Sequence, residues 1–397
     1  MGYLALYRKY RPVDFNSVYG QEEVVTVIKN AIVSGKVSHA YLFCGPRGTG
    51  KTTIAKIIAR LVNCENLVDG NPCGKCYNCL NYLNSNDIVE IDAASNNGVD
   101  NIRELIEESR YRPQHGKYKV YIIDEVHMLS NSAFNALLKT LEEPTGNTIF
   151  ILATTEVHKV PPTIFSRCQR YNFKLLTNEE IVEALQDILT KENYTWDSND
   201  TLFHIAKLAK GGLRDAFSMI DQCLNFINTS ELTMDDVKEV FGELDLDSIE
   251  DMAKAINESD VSTLLDIVKN QEIEGKSLSN ICIGLYEYYK EEYFHNPNID
   301  SEIYQRYMKV LAELSEKMKY NNNRTVFEIE MIHLCKPQMD TDYSGLYHRI
   351  QQLENIVEQL LAGNTNIPTQ KLCIDESEFT TFIVRPQKKI YTEMYYS

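Results

Sequence analysis

The sequence predicts an α/β fold in which a parallel sheet, covered by helices on both faces, is followed by two all-helical regions. Three observations carry this reading. Between about Val37 and Phe173, short β-rich apolar runs alternate with helical patterns, as they do where parallel strands are joined by crossover helices. From Thr177 onward such runs nearly vanish, and apolar residues recur at intervals of three and four, as in Ile181, Leu185, Ile188 and Leu189. The chain has 397 residues, more than one core normally supports, so more than one domain is expected.

Five runs are expected to form the strands: Ala40 to Cys44, Ile88 to Asp92, Lys119 to Asp124, Thr148 to Thr154 and Gln169 to Phe173. Helical patterns fill the gaps between them, including a helix beginning near Thr53. Gly211, Gly212 and the acidic stretch Asp245 to Glu250 mark joints in the helical part. The expected division is an α/β domain at 1–176, a small helical domain at 177–243, a larger one at 244–362 and a tail at 363–397. Leu346, Ile350, Leu353, Val357 and Leu360 follow a 4,3,4,3 spacing. That spacing fits either a short coiled-coil seam or a terminal helix packed on its own domain and stopped near Gly363. Beyond Gly363 little pattern remains, and the tail is expected to be mobile.

The composition is 43% hydrophobic, 10% aromatic and 24% charged, as in an ordinary globular protein. No apolar run approaches the roughly 20 residues that span a bilayer, so no membrane partner is expected. Met1 to Arg11 carries charges and lacks an apolar core with a cleavage site, so it does not read as a signal peptide, and a cytoplasmic protein is expected. The net charge of −17 argues against indiscriminate coating of nucleic acid; DNA contact must come from a local basic patch or a surface shared by several chains. Of ten cysteines, four cluster and six are scattered through apolar surroundings, which fits metal binding and reduced thiols better than disulfides.

Gly45-Pro46-Arg47-Gly48-Thr49-Gly50-Lys51-Thr52 fits the phosphate-binding pattern G-x-x-x-x-G-K-[ST], after one expected strand and before one expected helix. A chance glycine-rich turn would have no reason to sit at such a junction. In this loop backbone N–H groups turn toward the phosphates of ATP, Lys51 reaches the β and γ phosphates and Thr52 ligates Mg²⁺. Val120-Tyr121-Ile122-Ile123-Asp124-Glu125 is an apolar strand ending in two carboxylates. Asp124 is then the second Mg²⁺ ligand, and Glu125 the general base or water-orienting group. Two acids at a strand end are often only a solvated turn; the separate phosphate loop favours the functional reading.

Cys64, Cys73, Cys76 and Cys79 form C-x8-C-x2-C-x2-C. Four thiolates suit tetrahedral Zn²⁺, and with no open position the site reads as structural. An iron–sulfur cluster uses the same ligands, but the first spacing does not match the usual ferredoxin runs, so zinc is favoured.

Taken together, these motifs resemble those of the gamma/tau subunits of bacterial DNA polymerase III, the AAA+ ATPases of the clamp loader. The likeness runs from about Tyr3 to Pro337. It is most specific at Ala5 to Pro12, at the cysteines inserted after the phosphate-loop helix, at Glu90 to Ser95, at Val126-His127-Met128-Leu129-Ser130 and at Asn135 to Pro144. The resemblance implies an AAA+ P-loop parallel sheet with an inserted zinc knob, a helical lid and a helical collar from about Leu244 to Gln359. It also implies an ATPase that opens a sliding clamp and releases it on primer-template DNA. Its partners would be other clamp-loader subunits in a five-membered ring, and single-strand DNA-binding protein through another subunit.

Site residues carry over where the motifs match. Leu152 to Glu156 resembles sensor 1, in which Thr155 senses the γ-phosphate. Ser166-Arg167-Cys168 resembles the motif whose arginine, here Arg167, enters a neighbour's ATP site as a finger. Gly212 to Ala216 resembles sensor 2, with Arg214 contacting phosphates from the lid. Tyr7, Arg11 and Val18 lie in the segment around adenine and ribose. The family's long form continues into further domains, whereas only about thirty residues follow the last expected helix here, including the unfamiliar Phe379 to Tyr396. The chain thus looks like a short, gamma-like form. A non-hydrolysing scaffold subunit and a branch-migration motor are the competing readings. Intact Lys51, Thr52, Asp124 and Glu125 speak against the first, and the four cysteines against the second.

Overall fold

In a computed structural model the chain is described at residues 3–144, 146–296, 301–320 and 323–336, with isolated helical positions at 350, 353, 354 and 357. The 4,3,4,3 stretch is thus described only at Ile350, Leu353 and Val357; its other positions, Gly363 and the tail lie outside the described residues. Contacts divide the chain into two compact units, Met1–Glu243 and Leu244–Ser397.

The first unit is built on five parallel strands, β1 (Ala40–Cys44), β2 (Ile88–Asp92), β3 (Lys119–Asp124), β4 (Thr148–Thr154) and β5 (Gln169–Asn172), in the order β2-β3-β4-β1-β5. Every residue of β1 and β4 is buried because helices cover both faces, which is why these strands read as unbroken apolar runs. Successive side chains still alternate. Tyr41 and Phe43 of β1, Val120 and Ile122 of β3, and Ile149 and Ile151 of β4 pack with the helices Glu22–Val33 and Lys51–Val62. Leu42, Tyr121, Ile123, Phe150 and Leu152 face the helices Val99–Glu108 and Asn131–Glu142 on the other side.

Two boundaries differ from the sequence reading. The phosphate-loop helix begins at Lys51 rather than near Thr53, because Gly50 takes the left-handed N-cap conformation and starts the helix at once. β5 ends at Asn172 rather than Phe173. Phe173 N–H still donates to Cys44 O at 2.7 Å, but the residue leaves the ladder to pass beside Gly45.

Helices Asn178–Glu192, Asn199–Leu208, Leu213–Phe226 and Met234–Phe241 follow in the same unit. Thr177 and Glu180 form a capping box at the first of them, where the sheet ends and the helical part begins. Ile181, Leu185, Ile188, Leu202, Ile205, Phe217 and Ile220 make its core, and Leu6 of the N-terminal helix Leu6–Lys9 joins them. Tyr10 OH donates to Glu192 at 2.5 Å, so the N-terminal segment is tied to this helical part. Two short strands, β6 (Thr195–Trp196) and β7 (Glu231–Leu232), pair in parallel within it.

The second unit is helical where described: Leu246–Asn257, Val261–Ile273, Leu278–His295, Ser301–Tyr320 and Arg324–Cys335. Met252, Leu264, Leu285, Leu311 and Phe327 are among its buried residues. Tyr289 is fully buried, and its hydroxyl donates to Ala253 O at 3.3 Å. Among the described residues no helix is long and apolar enough to cross a membrane.

Candidate active site

At the C-terminal end of β1 the chain turns through 45–50 into the helix Lys51–Val62. A Cβ at Gly45 would sit 2.4 Å from the Phe173 carbonyl oxygen, so only glycine lets the loop pass the end of β5. Gly50 caps the helix with φ 95 and no side-chain bond, which leaves the first-turn N–H groups for an anionic ligand. The buried Lys51 ammonium donates to Gly45 O at 2.9 Å and Pro46 O at 2.7 Å, and Thr49 Oγ1 donates to Pro46 O at 2.8 Å. Burial pulls the Lys51 pKa below the ordinary lysine value, while Glu125 and Asp124 oppose the shift.

Thr52 Oγ1 donates to Asp124 Oδ2 at 2.7 Å, joining the start of the helix to the end of β3. These two oxygens stand where a hard cation bound by a hydroxyl and one carboxylate would need them. The backbone N–H of Glu125 donates to Asp124 Oδ1 at 2.9 Å, and Glu125 itself holds a left-handed backbone, φ 49 and ψ 44. Its Oε2 accepts from Thr155 Oγ1 at 3.0 Å, one residue past β4.

One pocket collects most of the residues expected at the nucleotide. Tyr7, Arg11 and Val18 line it from the N-terminal segment, Arg47 to Thr52 from the loop, Asp124 and Glu125 from β3, and Arg214 from the helix Leu213–Phe226. The Arg214 guanidinium lies over the Tyr7 ring, 4.8 Å from its centre. Gly45 and Pro46 contribute the carbonyls that Lys51 touches, and Thr155 reaches the site through Glu125. Tyr10, Pro12, Tyr19, Leu176, Leu213 and Phe217 also line the pocket, and sequence reasoning missed them. A signal existed for Phe217, which stands three residues after Arg214 on one helix and so shares its face.

Arg167 is not in this pocket. Its guanidinium pairs with Glu142, from the end of the helix Asn131–Glu142, with Nε donating at 2.8 Å, and Nη1 donates to Thr163 O at 2.7 Å.

The sulfurs of Cys64, Cys73, Cys76 and Cys79 all lie within 4.8 Å of one another. Tetrahedral thiolates at Zn–S bonds of about 2.3 Å stand about 3.8 Å apart, so small adjustments would close such a shell. The N–H groups of Lys75 and Cys76 point at Cys73 Sγ and draw its pKa down to about 6, whereas burial raises Cys79 to about 12.

Comparison with known families agrees with this geometry. The profile described as "DNA polymerase III, delta subunit" matches residues 20–177, and that described as "DNA polymerase III clamp loader subunit, ATPase lid domain" matches residues 180–229. The chain is 39% identical to the tau subunit of DNA polymerase III from Bacillus subtilis, over 91% of this chain and 69% of that one. It is 38% identical to the gamma subunit of Buchnera aphidicola, over 87% and 89%. It is 41% identical to Escherichia coli tau over 72% of this chain, but spans only 45% of that relative's length. Among solved structures, the RuvB Holliday junction branch migration motor of Thermotoga maritima aligns with 62% of this chain and 79% of its own at 20% identity and a TM-score of 0.46. With near-40% identity along most of the Bacillus and Buchnera subunits, the chain belongs to the gamma/tau family of bacterial DNA polymerase III, the AAA+ ATPase subunits of the clamp loader.

Proposed function

We propose that this chain is the ATP-hydrolysing motor of the clamp loader, acting in the cytoplasm as one member of a five-subunit ring. It opens the sliding clamp, releases it on primer-template DNA and meets single-strand DNA-binding protein through another subunit. The observation that supports this best is the single pocket in which Lys51, Thr52, Asp124 and Glu125 meet Arg214 of the lid.

In this reading the 45–50 backbone and Lys51 bind the phosphates, and Arg214 follows the γ-phosphate from the lid. Tyr7, Arg11 and Val18 flank the base and sugar. Glu125 orients the attacking water and accepts its proton, Thr155 fixes that carboxylate, and Arg167 serves the neighbouring subunit's site. Mg²⁺, held by Thr52 and Asp124, would neutralise charge on the β and γ phosphates. The cysteine cluster would hold one Zn²⁺ as a structural staple; a multi-iron cluster spaces its thiolates around several metal atoms, and the close-set sulfurs favour a single ion.

Two substitutions test the site. Lys51→Ala is expected to abolish nucleotide binding, measured by titration with a fluorescent ATP analogue. Glu125→Gln is expected to bind ATP normally and to lose about 10²- to 10⁴-fold in turnover. Wild-type hydrolysis by Glu125→Gln would remove that residue from the chemistry.

A further inference from the structure

His127 follows Glu125 by two residues, in the tight turn Val126–Met128, and its side chain is only 6% exposed. Nδ1 lies 3.1 Å from Thr154 Oγ1 and 3.4 Å from Glu125 Oε2. Nε2 lies 3.2 Å from Glu156 Oε1. The far oxygen of Glu156 is engaged in turn, 2.8 Å from Lys159 Nζ and 3.6 Å from His158 Nε2. The Glu156 N–H donates to Thr154 Oγ1 at 3.0 Å, so the hydroxyl facing the imidazole is itself fixed.

Burial alone does not account for this arrangement. A histidine used only as filler has no need of a carboxylate at each ring nitrogen, one of them in the nucleotide pocket. Glu125 needs outside support, because a left-handed backbone in a residue other than glycine persists only where its surroundings fix it. Thr155 and the imidazole both meet Oε2 of Glu125, which leaves its Oε1 side for the pocket.

We propose that His127 is a positioning residue for ATP hydrolysis: anchored by Glu156 at Nε2 and by Thr154 Oγ1 at Nδ1, it sets its ring edge against Glu125 and keeps that carboxylate in the direction from which it orients the attacking water. The inference rests on the reading of Glu125 given above. It assigns His127 no contact with the nucleotide, so its effect belongs in kcat and not in binding. A misplacement of about 1 Å is enough to lower turnover about 10²-fold.

The test uses the full chain assembled with its partner subunits, clamp and primed DNA, and measures ATP turnover together with binding of a fluorescent ATP analogue. His127→Ala is expected to bind nucleotide within about twofold of wild type and to lose about 10- to 100-fold in kcat. His127→Asn, whose amide nitrogen stands near the position of Nδ1, is expected to recover part of that loss. Glu156→Gln, which weakens the anchor, should lower kcat by a smaller factor. In a Glu125→Gln background, His127→Ala is expected to cause no additional loss, because both changes act on one step.

Wild-type kcat for His127→Ala, with Glu125→Gln inactive, would overturn the positioning role and leave the Glu125 reading intact. An equal further loss in the Glu125→Gln background would overturn it too, as would impaired nucleotide binding in both His127→Ala and His127→Asn. Wild-type turnover by Glu125→Gln alone would overturn the reading of Glu125, and the inference with it.

Discussion

The backbone of Glu125, at φ 49, is unfavourable by about 1–2 kcal/mol for a residue with a Cβ. Its carboxylate is about one-third exposed, and partly exposed pairs of this kind are each worth less than about 1 kcal/mol. Relief of the backbone should therefore roughly offset loss of the side chain's two contacts and the extra chain entropy of glycine. Glu125→Gly is expected to melt within about 2 °C of the wild-type protein while hydrolysing no ATP, as read by thermal denaturation beside a turnover assay. A melting point several degrees lower would mean that the side chain holds the turn. Glu125 itself was legible, since an apolar strand ending in two acids beside a phosphate loop has a familiar chemical meaning. Its support was not. Glu156 and Thr155 come from the far end of β4 and meet the turn after β3 only because those strands are neighbours in the sheet, an order that the sequence pattern does not encode.

At the scale of elements, β1 to β4 could be read to the residue: β1, β3 and β4 because burial on both faces demands apolar runs, and the half-exposed edge strand β2 because Ile88, Val89 and Ile91 are β-rich around a solvent-facing Glu90. The lid helices were legible as an amphipathic series without individual bounds, but not the way Leu213 and Phe217 join Tyr10 in lining the pocket from about two hundred residues away. The cysteine module shows a similar division. The grouping of its four cysteines follows from spacing, while one of its ties to the phosphate-loop helix comes from a residue that carries no motif. Arg60 donates to Val13 O at 2.9 Å and lies over the Tyr82 ring at 5.0 Å, linking the phosphate-loop helix to segments on either side. A strong chelator is expected to release one Zn²⁺ per chain and to raise amide exchange across residues 64–84, while ATP affinity changes by less than about threefold. Iron or no metal in elemental analysis would refute the zinc assignment. A parallel collapse of ATP binding would mean that the module supports the phosphate loop itself.

For the whole molecule, the informative feature is that Lys51 and Arg167 do not share a pocket. If Arg167 acts on a neighbour, Arg167→Ala is expected to bind ATP normally yet lose about 10³-fold in clamp- and DNA-stimulated hydrolysis. Mixing it with Lys51→Ala chains should restore part of that activity, because some interfaces then pair an intact phosphate loop with an intact arginine. No recovery, despite proven co-assembly, would confine Arg167 to its own chain. The pairing with Glu142 adds a consequence for how such a finger responds to its neighbour. An arginine with a resting carboxylate distributes between two anions, and its position follows the difference between them. Glu142 is about half exposed, so it holds the guanidinium by less than about 1 kcal/mol, a population bias of about fivefold. If Arg167 does act on a neighbour, a triphosphate there would outcompete that hold, and a neighbour that had lost the terminal phosphate would give the arginine back. The finger would then be a comparator of charge across the subunit interface, tuned by one glutamate to respond near the point where the two nucleotide states differ.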